Sequence, residues 1–342
     1  MHAQSLTKCN DVLIIGGGPA GLMAATELTQ HNCKICLIES MPTIGRKFLM
    51  AGKSGLNITS CKGNFLQQYG EAQDWISPML KQFGPEEIIK FCQSLGQSIF
   101  VGTSGKVFPK SMKTSPLLRT WLMDLKRSGV DIRTSSKWID FKNYDITSSQ
   151  KNILNHYVKS ENKIYSIASR ATILALGGAS WARLGSDGKW SKILEKYLHN
   201  TKISLIPFSP VNVGLRVAWS DQMIKFAGNP VKPIGLILNG KKEKGEFIVT
   251  RTGIEGGITY LFSTTQKRHA DKFIIDLLPD LSLIKVSEKL SRFKGKSTMT
   301  NFLRKGLGLT GVKYSLLREF GFPFPENALQ FSKVIKNLTV KI

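Results

Sequence analysis

Apolar and polar positions in the first forty residues follow the pattern of a strand, a helix and a second strand. Val12–Ile15 is a short apolar run of the kind that forms a strand buried on both faces, and an apolar stripe at helical spacing follows over 22–28. A second apolar run over 34–38 ends at Glu39. This order predicts a βαβ unit with two parallel strands.

The segment that joins the first strand to the helix has the spacing GxGxxG. Gly16 permits a tight turn, Gly18 lets the backbone approach a diphosphate, and Gly21 lets the helix lie close to the strand. The N–H groups at the start of such a helix attract an anion. Glu39 follows the second strand, where a carboxylate accepts hydrogen bonds from an adenosine ribose. The sequence therefore predicts a dinucleotide site, and a glutamate with no arginine directly after it argues against a 2′-phosphate on the ligand.

The middle of the chain combines helical and β-type patterns. Apolar stripes predict helices that begin near Pro85 and Ser115. Short β-prone pieces separated by polar turns predict a β-meander over 137–171. The apolar strand predicted over 172–176 leads into Gly177–Gly178, where small residues let the chain pass a ligand.

The pattern changes in the second half of the chain. Residues 200–262 are β-prone and broken by glycines, residues 283–320 have helical spacing, and residues 329–342 have the character of a returning strand. We expect an α/β protein with a Rossmann-like, three-layer nucleotide-binding domain that carries the β-meander at 1–190. An inserted substrate domain of mixed β-barrel and helical structure follows at 191–342.

The composition is that of a packed protein with an excess of positive charge. Of the 342 residues, 42% are hydrophobic, which is enough for one large domain or two modest ones. The 48 basic and 24 acidic side chains give a net charge of +24. This charge attracts phosphate-bearing ligands, although a solvated lysine-rich surface has the same composition.

The sequence contains no targeting or membrane-spanning pattern. The first ten residues lack the apolar core of a secretion signal, and no uncharged apolar run reaches the roughly 18 residues that cross a bilayer. All five cysteines lie within the first 92 residues, which is not the layout of a disulfide framework. We therefore expect a cytoplasmic protein with reduced thiols and no membrane partner. The five histidines have no ligand spacing, and we expect no metal site.

Two further motifs resemble phosphate sites but lack the required context. Residues 306–311 repeat GxGxxG, but the residues before them are polar and basic rather than a buried strand. Residues 52–54 resemble the end of a P-loop, but the position of its leading glycine is occupied by Lys47. Neither motif predicts a nucleotide site.

The residues that follow Glu39 indicate which dinucleotide is bound. A long, basic, glycine-containing segment over 40–59 suits a ligand that extends far across the sheet, and it resembles the segment of flavoproteins with the glutathione-reductase type of FAD fold. More narrowly, the chain resembles the bacterial NAD(P)/FAD-dependent oxidoreductases grouped with the BaiN-type flavoproteins. The stretches that match this family's pattern, in the family's order, are 104–109, 112–119, 173–181, 183–188 and 250–257.

The resemblance implies FAD as the cofactor and a Rossmann-like FAD-binding domain. It implies that Arg46 and Lys47 lie near the phosphates and that the loop 52–57 passes close to the flavin. Guanidinium and exposed amide groups satisfy the two negative charges of FAD. The cofactor-binding residues that we expect are Gly16, Gly18, Pro19, Ala20, Gly21, Glu39, Ser40, Arg46, Lys47, Gly52, Gly55, Asn57, Ala175, Gly177 and Gly178.

The implied activity is a two-electron transfer between NAD(P)H and a small organic substrate through the flavin. NAD(P)H needs no second binding fold, because it visits the flavin transiently. The loop 250–257 is a candidate for reaching over the flavin ring, and a plain glycine turn is the alternative. Glu255 and Lys106 are candidate catalytic groups because they lie in glycine-bounded loops.

Two alternatives remain open at the level of sequence. The family continues past the inserted domain with one more strand and a closing helix, whereas this sequence stops at Ile342. The strand 173–176 would then have an unpaired edge and FAD affinity would fall, as in a truncated, non-catalytic flavoprotein remnant. The other alternative is a flavoprotein that modifies tRNA or another RNA, because residues 281–342 carry 12 basic and 3 acidic side chains. No recognised RNA motif accompanies that charge.

Overall fold

The structure is a computed structural model that describes residues 9–51, 55–61, 65–102, 105–143, 153–198, 201–210, 212–263, 271–292 and 298–342. The chain forms two compact units, Met1–Phe208 and Ser209–Ile342. The division thus falls after the helix Ser191–Leu198 and not at residue 190. The reason is packing, because Ile193 and Leu194 of this helix contact the hydrophobic core of the first unit.

The first unit contains nine strands and six α-helices among its described residues. The strands are β1 (Asn10–Ile15), β2 (Ile35–Ile38), β3 (Thr59–Ser60), β4 (Ile99–Val101), β5 (Lys106–Pro109), β6 (Asp131–Arg133), β7 (Lys137–Asn143), β8 (Leu154–Ser160) and β9 (Lys163–Leu174). The helices are α1 (Pro19–Leu28), α2 (Arg46–Ala51), α3 (Gln73–Gln82), α4 (Pro85–Ser94), α5 (Thr114–Arg127) and α6 (Ser191–Leu198).

The main sheet has the strand order β6-β2-β1-β9-β8-β7. β1 runs parallel to β2 and to β9, so that Ile14 lies between Leu37 and Ile173. β2 and β6 are also parallel, whereas β7, β8 and β9 pair antiparallel as a meander. The predicted βαβ unit and β-meander are therefore confirmed. β3, β4 and β5 form a separate three-stranded sheet.

β9 combines two elements that the sequence pattern had separated. Residues up to Ser169 pair with β8, and the strand then continues beside β1 as far as Leu174. The predicted third meander strand and the predicted returning strand are thus one strand of 12 residues. In the part of the chain that the structure describes, residues 170–174 have β1 on one side and no paired strand on the other.

Alternate side chains of the central strands enter two different cores, because successive residues of a strand point to opposite faces. Ile14 and Leu37 pack with α1, α4 and α5, while Leu13 and Cys36 pack with the meander and α6. One hydrogen bond ties two of the helices together, because the Trp121 Nε1–H of α5 donates to Oγ1 of Thr26 in α1 at 2.8 Å. The central sheet is therefore covered on both faces, and its polar turns lie at the strand ends.

Within its described residues, the second unit packs six strands and six helices around its own core. Its strands are β10 (Leu215–Arg216), β11 (Pro230–Leu238), β12 (Lys241–Thr250), β13 (Gly253–Glu255), β14 (Lys272–Asp276) and β15 (Leu338–Lys341). Its helices are α7 (Asp221–Ile224), α8 (Gly257–Ser263), α9 (Leu283–Ser291), α10 (Met299–Leu307), α11 (Gly311–Gly321) and α12 (Ala328–Lys336). The antiparallel sheet has the order β10-β13-β12-β11-β14-β15.

Two expectations for this unit need correction. The sheet is open, with β10 and β15 at its edges among the described residues, and is not a closed barrel. The strand expected over 329–342 is wrong for most of its length, since α12 occupies Ala328–Lys336 and only β15 is extended. The helix forms because the Asn327 side chain accepts hydrogen bonds from two N–H groups of its first turn, and because Phe331 and Ile335 are one helical turn apart and buried. The predicted helical region over 283–320 is confirmed by α9, α10 and α11.

No helix within the described residues is long and apolar enough to cross a membrane.

Candidate functional site

A cavity of about 480 Å³ opens at the carboxyl ends of β1 and β9 in the first unit. In parallel α/β sheets, ligands bind outside this edge. The predicted residues that line the cavity are Gly16, Gly18, Pro19, Ala20, Glu39, Ser40, Arg46, Lys47, Ala175 and Gly177. The fold therefore brings together ten of the fifteen residues named from the sequence.

The glycines of the turn have different structural roles. Gly16 has φ +117°, and a Cβ there would lie 2.2 Å from the carbonyl oxygen of Ala175, so the ends of β1 and β9 meet at this glycine. A Cβ on Gly21 would lie 2.0 Å from the Gly16 oxygen, which keeps α1 close to the turn. Gly18 is extended and a Cβ there would meet nothing within 4 Å. Gly18 thus presents open space at the N-terminus of α1, where the helix favours an anion.

The Glu39 carboxylate is held in place by backbone groups. Its Oε2 accepts a hydrogen bond from the Gly17 N–H at 2.8 Å. Its Oε1 accepts from the Met41 N–H at 2.8 Å and from the Ser40 hydroxyl at 3.0 Å. A carboxylate has about four acceptor positions, so Glu39 retains capacity for a hydroxyl of a bound ligand.

Two cationic side chains of α2 line the cavity but have different partners. The Arg46 Nε is buried and has no hydrogen-bond partner among the described residues. The Lys47 Nζ donates to the Ser186 hydroxyl at 3.2 Å. A buried guanidinium N–H without a partner is costly, and an anionic ligand oxygen would satisfy it. The residues around the turn therefore fit a dinucleotide diphosphate.

Sequence reasoning missed a second wall of the cavity. It consists of 136–139 at the start of β7 and of 184–187, Lys189, Trp190 and Ile193 after β9. The Trp190 Nε1–H donates to the Gly177 carbonyl at 3.1 Å, which fixes the indole beside the strand end. The segment 184–187 lies within the stretch 183–188 that matches the family's pattern, although that match did not assign it to the cofactor site. The other residues of this wall carry no local motif, because only the folding of the meander beside β1 brings them to the cavity.

Four predicted residues lie outside the cavity lining and one lies outside the described residues. Gly21 lets α1 pack against the turn. The Gly178 carbonyl accepts a hydrogen bond from the Ser186 hydroxyl at 2.8 Å. Gly55 has φ +113° and borders Met112, while Asn57 is exposed. Gly52 falls in the segment 52–54, which is outside the described residues.

The two catalytic candidates are exposed and do not line this cavity. Lys106 lies on β5, and Glu255 lies on β13 of the second unit. The segment that contains Glu255 forms a β-hairpin, because β13 pairs antiparallel with β12. A Cβ on Gly253 would lie 1.9 Å from the Leu215 carbonyl oxygen of β10, which pairs with the other edge of β13. The glycine at 253 therefore serves the pairing of β13 with β10.

The cysteines and acidic residues supply no metal cluster within the described residues. Burial raises the pKa of the Cys36 thiol to about 12 and that of the Cys92 thiol to about 11. Both thiols are therefore protonated and unreactive at neutral pH.

Residues 10–314 match the family described as HI0933-like protein Rossmann domain. The chain belongs to the HI0933-like family. The predicted resemblance to BaiN-like flavoproteins and the predicted Rossmann-like FAD-binding fold are confirmed.

Two characterised relatives show the breadth of this similarity. The chain is 27% identical to 3-dehydro-bile acid delta(4,6)-reductase of Clostridium scindens over 293 residues, which are 81% of this chain and 66% of that protein. It is 24% identical to ribosomal RNA dihydrouridine synthase of Escherichia coli over 280 residues, 80% of this chain and 65% of that protein. The chain thus spans about two thirds of the length of these relatives. Among solved structures, THI4 of Thermovibrio ammonificans aligns with a TM-score of 0.36 at 14% identity, over 65% of this chain and 72% of that chain.

Proposed function

We propose that the protein is an FAD-dependent oxidoreductase that transfers two electrons from NAD(P)H to a small organic substrate. The observation that carries the proposal is the buried Arg46 Nε, which has no hydrogen-bond partner in the described part of the chain and lies in the cavity that also contains the Gly18 turn and Glu39. Arginine, a helix N-terminus and a fixed carboxylate form a set that suits a diphosphate followed by a ribose.

Different residues of the chain would bind different parts of the cofactor. The open face at Gly18 and the Arg46 guanidinium would hold the diphosphate, and Glu39 would accept the ribose hydroxyls. The wall formed by 136–139 and Trp190 would exclude water from the bound cofactor. When bound, FAD supplies the two-electron chemistry, and the protein orients it.

The direction of electron flow is supported by a relative. The Clostridium scindens protein is named as a reductase of a 3-dehydro-bile acid, which is a small organic acceptor. NAD(P)H is the proposed donor, because a reductase needs a source of two electrons and the flavin accepts a hydride from a transiently bound nicotinamide.

The visible spectrum of the purified protein tests this proposal directly. Bound flavin should absorb in the visible range and lose that absorption when NADH or NADPH is added without oxygen, and comparison of the two donors identifies the preferred one. A folded, colourless protein that binds no added FAD would instead support the non-catalytic remnant. An FAD-loaded protein that neither nicotinamide reduces would overturn the proposed donor alone.

RNA is a second candidate substrate, because the Escherichia coli relative is named as a ribosomal RNA dihydrouridine synthase. Arg292, Arg304 and Lys305 are exposed basic side chains of the region that carries the positive charge. A phosphate-binding surface must lose affinity as salt rises. RNA binding should be measured over a series of salt concentrations. If the protein binds no RNA, or if its affinity for RNA does not change with salt, this candidate is excluded.

A further inference from the structure

Lys47 and Ser186 join two walls of the cavity. Lys47 lies on α2, and Ser186 lies in the loop that follows β9, 139 residues later in the chain. Their Nζ and Oγ atoms are 3.2 Å apart, and both residues line the cavity. The link therefore spans the cavity between segments that are distant in sequence.

The Ser186 hydroxyl is oriented so that its oxygen can accept a hydrogen bond from the Lys47 ammonium. Ser186 is buried, and its hydroxyl donates to the Gly178 carbonyl at 2.8 Å. The donated proton leaves the oxygen lone pairs for the Lys47 ammonium. The same loop is fixed from its other end, because the Trp190 Nε1–H donates to the Gly177 carbonyl. Lys47 thus completes a chain of hydrogen bonds that holds this loop at the cavity.

The neighbouring arginine differs in just this respect. Arg46 and Lys47 are adjacent on α2. Among the residues that the structure describes, the buried Arg46 Nε has no hydrogen-bond partner, whereas the Lys47 ammonium already has one. The arginine N–H needs an anionic ligand, and the lysine has a protein acceptor. Two adjacent cations that sequence reasoning assigns to the same phosphates therefore have separate environments.

We propose that Lys47 is a positioning residue that holds the loop 185–187 against α2 and so retards FAD release, while Arg46 provides the ion pair to the diphosphate. The inference rests on the proposed function, since it concerns the same cavity. It predicts that Lys47 and Ser186 act as one unit and that Arg46 acts independently of them.

A double-mutant cycle measured with FAD tests this division. Lys47→Met and Ser186→Ala should each speed FAD dissociation about tenfold, the size expected for loss of one hydrogen bond to a charged group. The double variant should release FAD no faster than Ser186→Ala alone, because both changes remove the Lys47–Ser186 hydrogen bond and only Ser186→Ala also removes the bond to the Gly178 carbonyl. The dissociation rate is followed by the return of flavin fluorescence, and Lys90→Met on α4, away from the cavity, is the matched control with an unchanged rate.

Equilibrium affinity separates the two cations. Arg46→Met should weaken FAD binding more than Lys47→Met does, because it removes the ion pair to the diphosphate. The effect of Arg46→Met should add to that of Ser186→Ala in a double variant, because the two changes remove different interactions. Additive effects of Lys47→Met and Ser186→Ala would show that Lys47 contacts the phosphates directly and would overturn the inference.

Hydrogen exchange of the apoprotein tests the link without any cofactor. Lys47→Met and Ser186→Ala should each increase exchange of the backbone amides over 185–189, whereas Arg46→Met should leave them protected. If the wild type binds no FAD, the proposed function fails on that result, and the exchange pattern still decides whether Lys47 holds the loop. Unchanged protection in Lys47→Met would overturn the positioning role.

Discussion

At the scale of single residues, substitutions of Gly18 and Gly16 should have different effects, the first on FAD affinity and the second on the stability of the fold. A Cβ at Gly18 would meet no atom of the described residues within 4 Å, and the backbone there is extended. Gly18→Ala should therefore lower the unfolding free energy by no more than about 1 kcal/mol, as a change of helix cap. The added methyl group would occupy the space through which the diphosphate reaches the amides of α1. We expect FAD affinity to fall at least about tenfold, measured by titration of the apoprotein.

The matched comparison is Gly16→Ala. Here the new Cβ would lie 2.2 Å from the Ala175 carbonyl oxygen, and φ of +117° is unfavourable for any side chain. This variant should lose about 3 kcal/mol or more of unfolding free energy, measured in denaturant. A Gly18→Ala protein that binds FAD as tightly as the wild type would contradict the assignment of the diphosphate to this turn.

His156 gives the fold a dependence on pH. It is 2% exposed, its ring stacks on Phe141, and Nε2 lies 2.8 Å from the Thr172 hydroxyl. Its Nδ1 is buried and has no hydrogen-bond partner within the described ranges of the chain. Burial lowers the pKa of His156 from its usual 6.5 to about 4. Between these values the unfolded chain binds a proton that the folded chain excludes, so the folded state loses stability as pH falls below 6.5.

We expect a loss of about 2 kcal/mol between pH 7 and pH 5 from this one group. Denaturant unfolding of the wild type and of His156→Gln at the two pH values isolates it, because the other titrating groups are common to both proteins. The variant should be less stable at pH 7 but should show a smaller fall towards pH 5. An equal fall in the two proteins would show that His156 is not the group that titrates.

At the scale of elements, α12 depends on Asn327, the N-cap residue directly before the helix. The Asn327 side-chain oxygen accepts from the Leu329 N–H at 2.9 Å and from the Gln330 N–H at 3.1 Å. Asn327→Ala should therefore lower the unfolding free energy of the second unit by about 1 kcal/mol, whereas Asn327→Asp keeps the acceptor and should remain close to the wild type. Denaturant midpoints of the three proteins measure the difference, and equal midpoints for the alanine and aspartate variants would show that the cap contributes nothing.

The same helix shows why the sequence pattern was misread there. Leu329, Phe331 and Val334 are apolar residues in a segment that also ends in a true strand, so a strand pattern and a helical pattern overlap. What selects the helix is the Asn327 cap together with burial of Phe331 and Ile335 in the core of the second unit. Burial of that kind comes from tertiary packing, which local periodicity does not contain.

Tertiary structure also explains why the sequence pattern predicted neither the full length of β9 nor the second wall of the cavity. β1, α1 and β2 were predictable because each has one period and because glycines mark the turn between them. β9 changes its partner from β8 to β1 near Ser169, and no residue pattern marks a change of neighbour. Likewise, Glu39 and Arg46 could be named from local motifs, whereas 136–139 and Trp190 reach the cavity only through the sheet topology.

At the scale of the whole molecule, the two units have separate hydrophobic cores. The core residues of the second unit all follow residue 209, and those of the first unit all precede it. Every residue that lines the cavity belongs to the first unit. Because a ligand that binds only the folded state stabilises the part it binds, FAD should act on the unfolding of the first unit.

We therefore expect calorimetry to show two thermal transitions, and we expect FAD to raise the midpoint temperature of only one of them. At a free concentration of 100 times its dissociation constant, FAD adds about 2.7 kcal/mol, which corresponds to roughly 5–10 °C for a unit of this size. Gly18→Ala should weaken that shift, and Asn327→Ala should lower the other transition, so each transition is assigned by a variant in its own unit. A single transition that moves as a whole with FAD would mean that the units unfold together, and the energy of the cofactor would then stabilise the second unit through the first.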